Sequence, residues 1–166
     1  MRILLILLLL FCGLRGYPQL QGQDFVDSLL KQLPKVEEDS VKVKCYQLLA
    51  NAYKTIDPNV GIKYGQLQLD LAQKINSKRS IASAYDQLGL NYYHKSDYTA
   101  ALEYFNKALS TVSLVKHPEL YCSIISHTAV VYQELGNHEK ALEYNLRILE
   151  YDKKEGKFSY DERSSS

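Results

Sequence analysis

Apolar and polar positions alternate along most of this chain with the period of a helix. Ile81, Tyr85, Leu88 and Tyr92 fall at i, i+4, i+7 and i+11, one stripe of an amphipathic helix. Leu102, Phe105 and Leu109 give a second stripe after the polar break at Ser96-Asp97, where Asp97 suits an N-cap. Upstream, Phe25, Leu29, Leu30 and Leu33 predict a short helix stopped by Pro34. The pattern is broken once, at the start. Ile3 to Phe11 is an unbroken apolar run behind Arg2, too short for a membrane helix of about 20 residues and suited to the core of an export leader. Gly22 is the preferred end of that leader, giving residues 1–22, and Gly16 is the alternative. Cys12 offers lipid attachment, which Phe11 beside it disfavours.

The helical pattern repeats. Gly61-Ile62-Lys63-Tyr64, Ala101-Leu102-Glu103-Tyr104 and Ala141-Leu142-Glu143-Tyr144 are spaced by 40 residues each time. Leu88-Gly89 with Tyr92 aligns with Thr128-Ala129 and Tyr132. Leu49-Ala50 with Tyr53 lies 39 residues upstream, so the first unit lacks one residue in its turn, where Asp57-Pro58 stands. The units run over 41–76, 78–116 and 118–155, with a cap over 24–34. Gly89 inside a helix costs about 1 kcal/mol against Ala, so close helix packing is its expected reason. Residues 156–166 read as a polar tail or the start of a truncated fourth unit.

Tyr85-x-x-Leu88-Gly89-x-x-Tyr92 followed by Ala101-x-x-x-Phe105 resembles the tetratricopeptide-repeat signature, with Tyr85 where Trp is usual. The resemblance covers about Val41 to Glu155. It implies an all-α, right-handed solenoid of helix-turn-helix repeats whose first helices line a concave groove. Six residues beyond the usual period of about 34 should lengthen the second helix and its exit. Carried over by register, the groove wall is Lys44, Gln47, Leu48, Asn51 and Lys54, then Ser83, Asp86, Gln87, Leu90, Tyr93 and His94, then Ser123, Ser126, His127, Val130, Gln133 and Glu134. Some relatives grip a peptide carboxylate with a two-Lys, two-Asn, one-Arg clamp. Asn51 fits one Asn position, but Gln47, Gln87, Ser123 and His127 replace the others, so that clamp is not made. The leader, the short first helix and the 40-residue units together resemble N-terminal sensory regions of envelope signalling proteins in Gram-negative bacteria. The alternative is a stand-alone periplasmic scaffold.

Composition narrows the chemistry. Arg2 and Arg15 lie in the leader, so the remainder has 18 Lys and Arg against 19 Asp and Glu, with no basic stripe for nucleic acid. No hydrolase, metalloprotease or phosphate-loop motif is present, and His94, His117, His127 and His138 lie apart, without ligand spacing. We therefore expect no enzyme, no cofactor and no metal, but a protein or extended peptide in the groove. Tyr53, Tyr85, Tyr92 and Tyr132 are expected in the core. Tyr104 and Tyr144 should face the neighbouring unit. Cys45 and Cys122 sit on first helices a whole unit apart, about 20 Å at about 10 Å per helix pair, too far for a disulfide.

Overall fold

In the computed structural model, residues 23–155 are described. The leader over 1–22, with Cys12, Gly16 and Gly22, and the tail over 156–166 lie outside the described residues. Seven α-helices follow one another among the described residues: α1 (Gln23–Gln32), α2 (Asp39–Tyr53), α3 (Pro58–Lys74), α4 (Lys78–His94), α5 (Tyr98–Thr111), α6 (Pro118–Glu134) and α7 (His138–Lys154). A single 3-10 turn, Leu33–Lys35, closes α1 where Pro34 sits. The helices α2/α3, α4/α5 and α6/α7 pair as antiparallel hairpins, and the first helices α2, α4 and α6 lie side by side. This is a right-handed α-solenoid of tetratricopeptide type.

Turn chemistry explains the missing residue of the first unit. After α4, Ser96 adopts φ 60°, its N–H bonds Tyr93 O at 2.8 Å, and Asp97 N–H bonds Tyr92 O at 3.0 Å. That is a Schellman closure, with Ser96 as its left-handed residue. The next residue is already a cap, because Asp97 Oδ1 accepts from Ala100 N–H at 3.1 Å. After α6 the same pattern uses Gly136 at φ 70° and Asn137, and after α3 it uses Asn76 at φ 53° and Ser77. The α2–α3 turn has no left-handed residue. Asp57 N–H bonds Tyr53 O at 2.8 Å and Asp57 caps α3 through Asn59 N–H at 3.0 Å. The residue the first unit lacks is the left-handed one.

Three apolar clusters stack along the array. Val26 and Leu29 of α1 meet Leu49 of α2, so α1 packs against the first unit. Leu69, Ala84 and Leu88 join the first and second units. Ala82, Ala101, Phe105, Ala108, Val112, Ile124 and Val131 join the second and third. Gly89 serves this core: a Cβ there would lie 2.5 Å from Phe105 Cε1. Gly61 takes the position of Ala101 and Ala141 for a local reason. A Cβ on it would meet Asn91 Oδ1 at 1.8 Å, because the Asn91 amide fills that space and donates to Ala50 O at 3.1 Å and Gln87 O at 2.8 Å.

The tyrosines pair within units. Tyr64 stacks on Tyr53 at 5.7 Å and Tyr104 on Tyr92 at 5.3 Å between ring centroids, and Tyr144 meets Tyr132 at 5.6 Å in a tilted pair. Tyr53, Tyr85, Tyr92 and Tyr132 are half-buried rather than enclosed. Tyr104 packs against the cluster of Leu69, Ala84 and Leu88, yet its ring partners Tyr92 and Tyr85 belong to its own unit. The six residues beyond the usual period divide differently in each unit: α3 has 17 residues, whereas α5 has 14 and is followed by the irregular stretch 112–117. Cys45 is a buried free thiol whose pKa desolvation raises, so it forms no bridge to Cys122 on α6.

Candidate functional site

The concave wall is built by α2, α4 and α6. Each presents one stripe to the groove because residues one or two turns apart share a helix face. Lys44, Asn51, His94, Ser126, Val130 and Gln133 are exposed on that wall, and Gln47, Lys54, Leu90 and Tyr93 are half-buried. Lys44 Nζ donates to Gln47 Oε1 and Lys54 Nζ to Asn51 Oδ1, both at 2.9 Å. The His94 imidazole is held below its ordinary pKa, first by burial and then by the Lys54 charge.

Two expected wall residues are not open to a partner. Asp86 is 4% exposed and Gln87 is 7% exposed. Sequence periodicity places both on the groove side of α4, but both are buried, Asp86 against α6. His127 Nδ1 lies 2.8 Å from Asp86 Oδ1, and its ring sits 5.8 Å from that of Phe105. Tyr93 is likewise engaged. Its Oη donates to Glu134 Oε1 at 3.4 Å, its ring packs near Tyr98 at 5.9 Å, and it borders the Phe105 cluster. Asp86–His127, Tyr93–Glu134 and Ala50–Asn91 are each separated by 41 residues. Asp86–His127 and Tyr93–Glu134 thus stand one position off the 40-residue register, and Ala50–Asn91 two off the 39-residue register of the first unit.

The amino-terminal rim of the wall is different. A cavity of about 210 Å³ opens there between α2, α3 and α4, lined by Lys44, Gln47, Gln68, Arg79, Ser80 and Ser83 among others. Desolvation, and then the Arg79 charge, hold the Lys44 ammonium below the usual lysine range. Gln68 is 1% exposed, donates to Ser83 Oγ at 3.4 Å and leaves its Oε1 without a partner. Arg79 and Gln68 escaped the sequence reading. Arg79 lies one turn before Ser83 on the same stripe, so extending that stripe by i−4 reaches it.

Among the described residues no cluster of His, Cys, Asp or Glu could hold a metal ion, and no helix is long and apolar enough to cross a membrane. The wall can offer hydrogen bonds, charge and apolar contact to an extended ligand.

These features define a tetratricopeptide-repeat solenoid, and the comparisons agree. The chain is similar in structure to the tetratricopeptide domain of Arabidopsis FLU (TM-score 0.62, 17% identity, 70% of this chain and 99% of that one). It is also similar to a signal-transduction ATPase with numerous domains carrying a tetratricopeptide-repeat sensor, from Pyrococcus horikoshii (TM-score 0.69, 25% identity, 79% of this chain and 20% of that one). In sequence it is 32% identical over 104 residues to response regulator aspartate phosphatase A of Bacillus subtilis (strain 168), covering 62% of this chain. It is 30% identical over 88 residues to the uncharacterized protein ycf37 of Guillardia theta, covering 53% of this chain. The matches span only 28% and 46% of the length of those two relatives. No family profile matches the chain. The chain is thus a tetratricopeptide-repeat protein by fold, a fold generally used for protein interaction rather than catalysis.

Proposed function

We propose that the chain is a non-catalytic module that binds a protein or extended peptide in its concave groove, outside the cytoplasm, as the sensory part of a signal-transduction protein. The observation that carries the reading is the wall itself. On the three first helices Asn51, Ser126, Val130 and Gln133 are exposed and Leu90 is half-buried, and Val130 is 39% exposed although apolar. The sensor role is supported by two likenesses, to a tetratricopeptide-repeat sensor in a signal-transduction ATPase and to a response regulator phosphatase. Export is supported by the apolar run from Ile3 to Phe11 behind Arg2.

A photoreactive phenylalanine analogue at Ser126 or Val130 tests the groove in an envelope fraction of the source cells. Discrete adducts are expected from these positions and none from Asn106, which is exposed on α5. Equal labelling from all three would refute groove binding. For export, residues 1–40 fused to a leaderless alkaline phosphatase should give active enzyme outside the cytoplasm; inactive cytoplasmic fusion would remove that part of the reading.

A further inference from the structure

The amino-terminal rim of the groove holds polar groups that the chain does not satisfy. Lys44 and Arg79 face one cavity from neighbouring first helices, and none of the residues lining it is a carboxylate. Arg79 makes no ion pair among the described residues, and Lys44 bonds only the neutral Gln47 amide. The acid closest in sequence on α2, Asp39, is held by Lys74 at 3.0 Å. A second cavity of about 270 Å³ continues past Arg79 to Lys116 and His117, where Glu119 stands without forming an ion pair with Arg79. The first turn of α4 holds Lys78 and Arg79 and no acidic residue, so the positive end of its helix dipole adds to the side-chain charges instead of being offset. Two cations held together without a counter-charge repel each other, and an arriving anion removes that cost.

Gln68 narrows the ligand. A free anion would meet the two cations and the hydroxyls of Ser80 and Ser83, yet leave the buried Gln68 Oε1 unpaired. Its oxygen needs a donor hydrogen, which a fully ionised anion does not carry, and a buried polar atom without a partner costs about 1–3 kcal/mol. A peptide carries both groups, a side-chain carboxylate and the backbone N–H next to it.

We propose that this rim is an acidic-peptide subsite, in which Lys44 and Arg79 take a side-chain carboxylate and Gln68 accepts a backbone N–H from the same segment. The inference rests on the groove reading and names the chemistry of the partner at one end of it. Charge-assisted pairing to an Arg fork gives the subsite its specificity for carboxylate over amide side chains.

The test uses the whole chain, isotope-labelled, titrated with an end-capped peptide of alternating glycine and glutamate and with its glutamine counterpart. The glutamate peptide should shift the amide signals of Ser80, Ser83 and the Gln68 side chain. The glutamine peptide should bind at least tenfold more weakly. Arg79→Glu should abolish the shifts, Arg79→Gln should weaken binding about tenfold, and Lys63→Glu on α3, with the same change in net charge as the first variant, should not. Equal binding by wild type and Arg79→Gln overturns the proposal. So does inorganic phosphate producing the same shifts, Gln68 included, at matched ionic strength. If photoadducts persist at Ser126 and Val130 while the rim shows no peptide binding, the subsite fails and the groove reading stands. Loss of both sinks both.

Discussion

The two halves of the groove treat their charged groups differently. In the middle and carboxy-terminal half, two side chains of α4 find partners on α6, Asp86 with His127 and Tyr93 with Glu134, although the buried Gln87 Oε1 and Asn91 Oδ1 have no partner. At the amino-terminal rim, Lys44 and Arg79 face each other with like charge, and Gln68 keeps an unpaired oxygen. The halves share α4, which pairs with α6 in one and lines the rim cavity with α2 and α3 in the other. Internal pairing consumes recognition capacity, because a ligand must break such a pair before using either member. The rim retains that capacity at a cost to the folded chain. The Asp86–His127 and Tyr93–Glu134 pairs therefore belong to the structure, while Ser126, Val130 and Gln133 beside them stay exposed and the rim cations stay unpaired.

The largest expected effect erases the comparison altogether. Gly89 lies on α4, the helix both halves share, and a Cβ there would already lie 2.5 Å from Phe105. Gly89→Leu should cost about 3 kcal/mol or more by overpacking, read as loss of the cooperative thermal transition in circular dichroism. A variant that melts like the wild type would mean that α4 and α5 can separate freely, and the wall would then have no fixed geometry to compare.

A smaller change separates the halves. His127→Ala leaves the Asp86 carboxylate, 6% exposed at its side chain, without its partner across the groove. Breaking a fully buried pair costs about 3–5 kcal/mol. His127 is 29% exposed, so solvent lowers the expected loss to about 2 kcal/mol in urea unfolding. His127→Asn keeps a donor and should recover part of it. A loss under about 0.5 kcal/mol would show that Asp86 is satisfied by solvent, and the middle of the groove would be as available as the rim.

Much of this was legible before any coordinates. Asp97 as a cap, Gly89 against the Phe105 stripe, and α1 as a helix each follow from spacing within one or two helices, and such spacing states which side of a helix is apolar. It does not state how near the next helix comes. Asp86 and Gln87 were therefore expected on an open wall, although both are buried, Asp86 beneath His127 of α6. The pairing of Asp86 with His127 is a relation between units, visible only when the repeat is shifted by one residue. The exchange of Ala for Gly at Gly61 was equally opaque, because its cause is Asn91 on another helix. Arg79 was missed because the stripe was begun at Ser83, a turn too late.

The smallest expected effect in stability is the most telling for the comparison. Lys44→Gln and Arg79→Gln should each change unfolding free energy by less than about 0.5 kcal/mol, the range of surface substitutions that break no favourable contact. Their sign should be stabilising, since each removes one of two like charges. The double variant should gain less than the sum of the singles, because the repulsion can be removed only once. Raising salt should shrink all three differences. If either single change instead costs 1 kcal/mol or more, Lys44 and Arg79 are held by contacts that stabilise the fold, and the rim is as self-contained as the Asp86–His127 half. A neutral or stabilising result alongside the His127→Ala loss would separate the two sets of charged groups, Asp86 and His127 stabilising the fold and Lys44 and Arg79 contributing nothing to it.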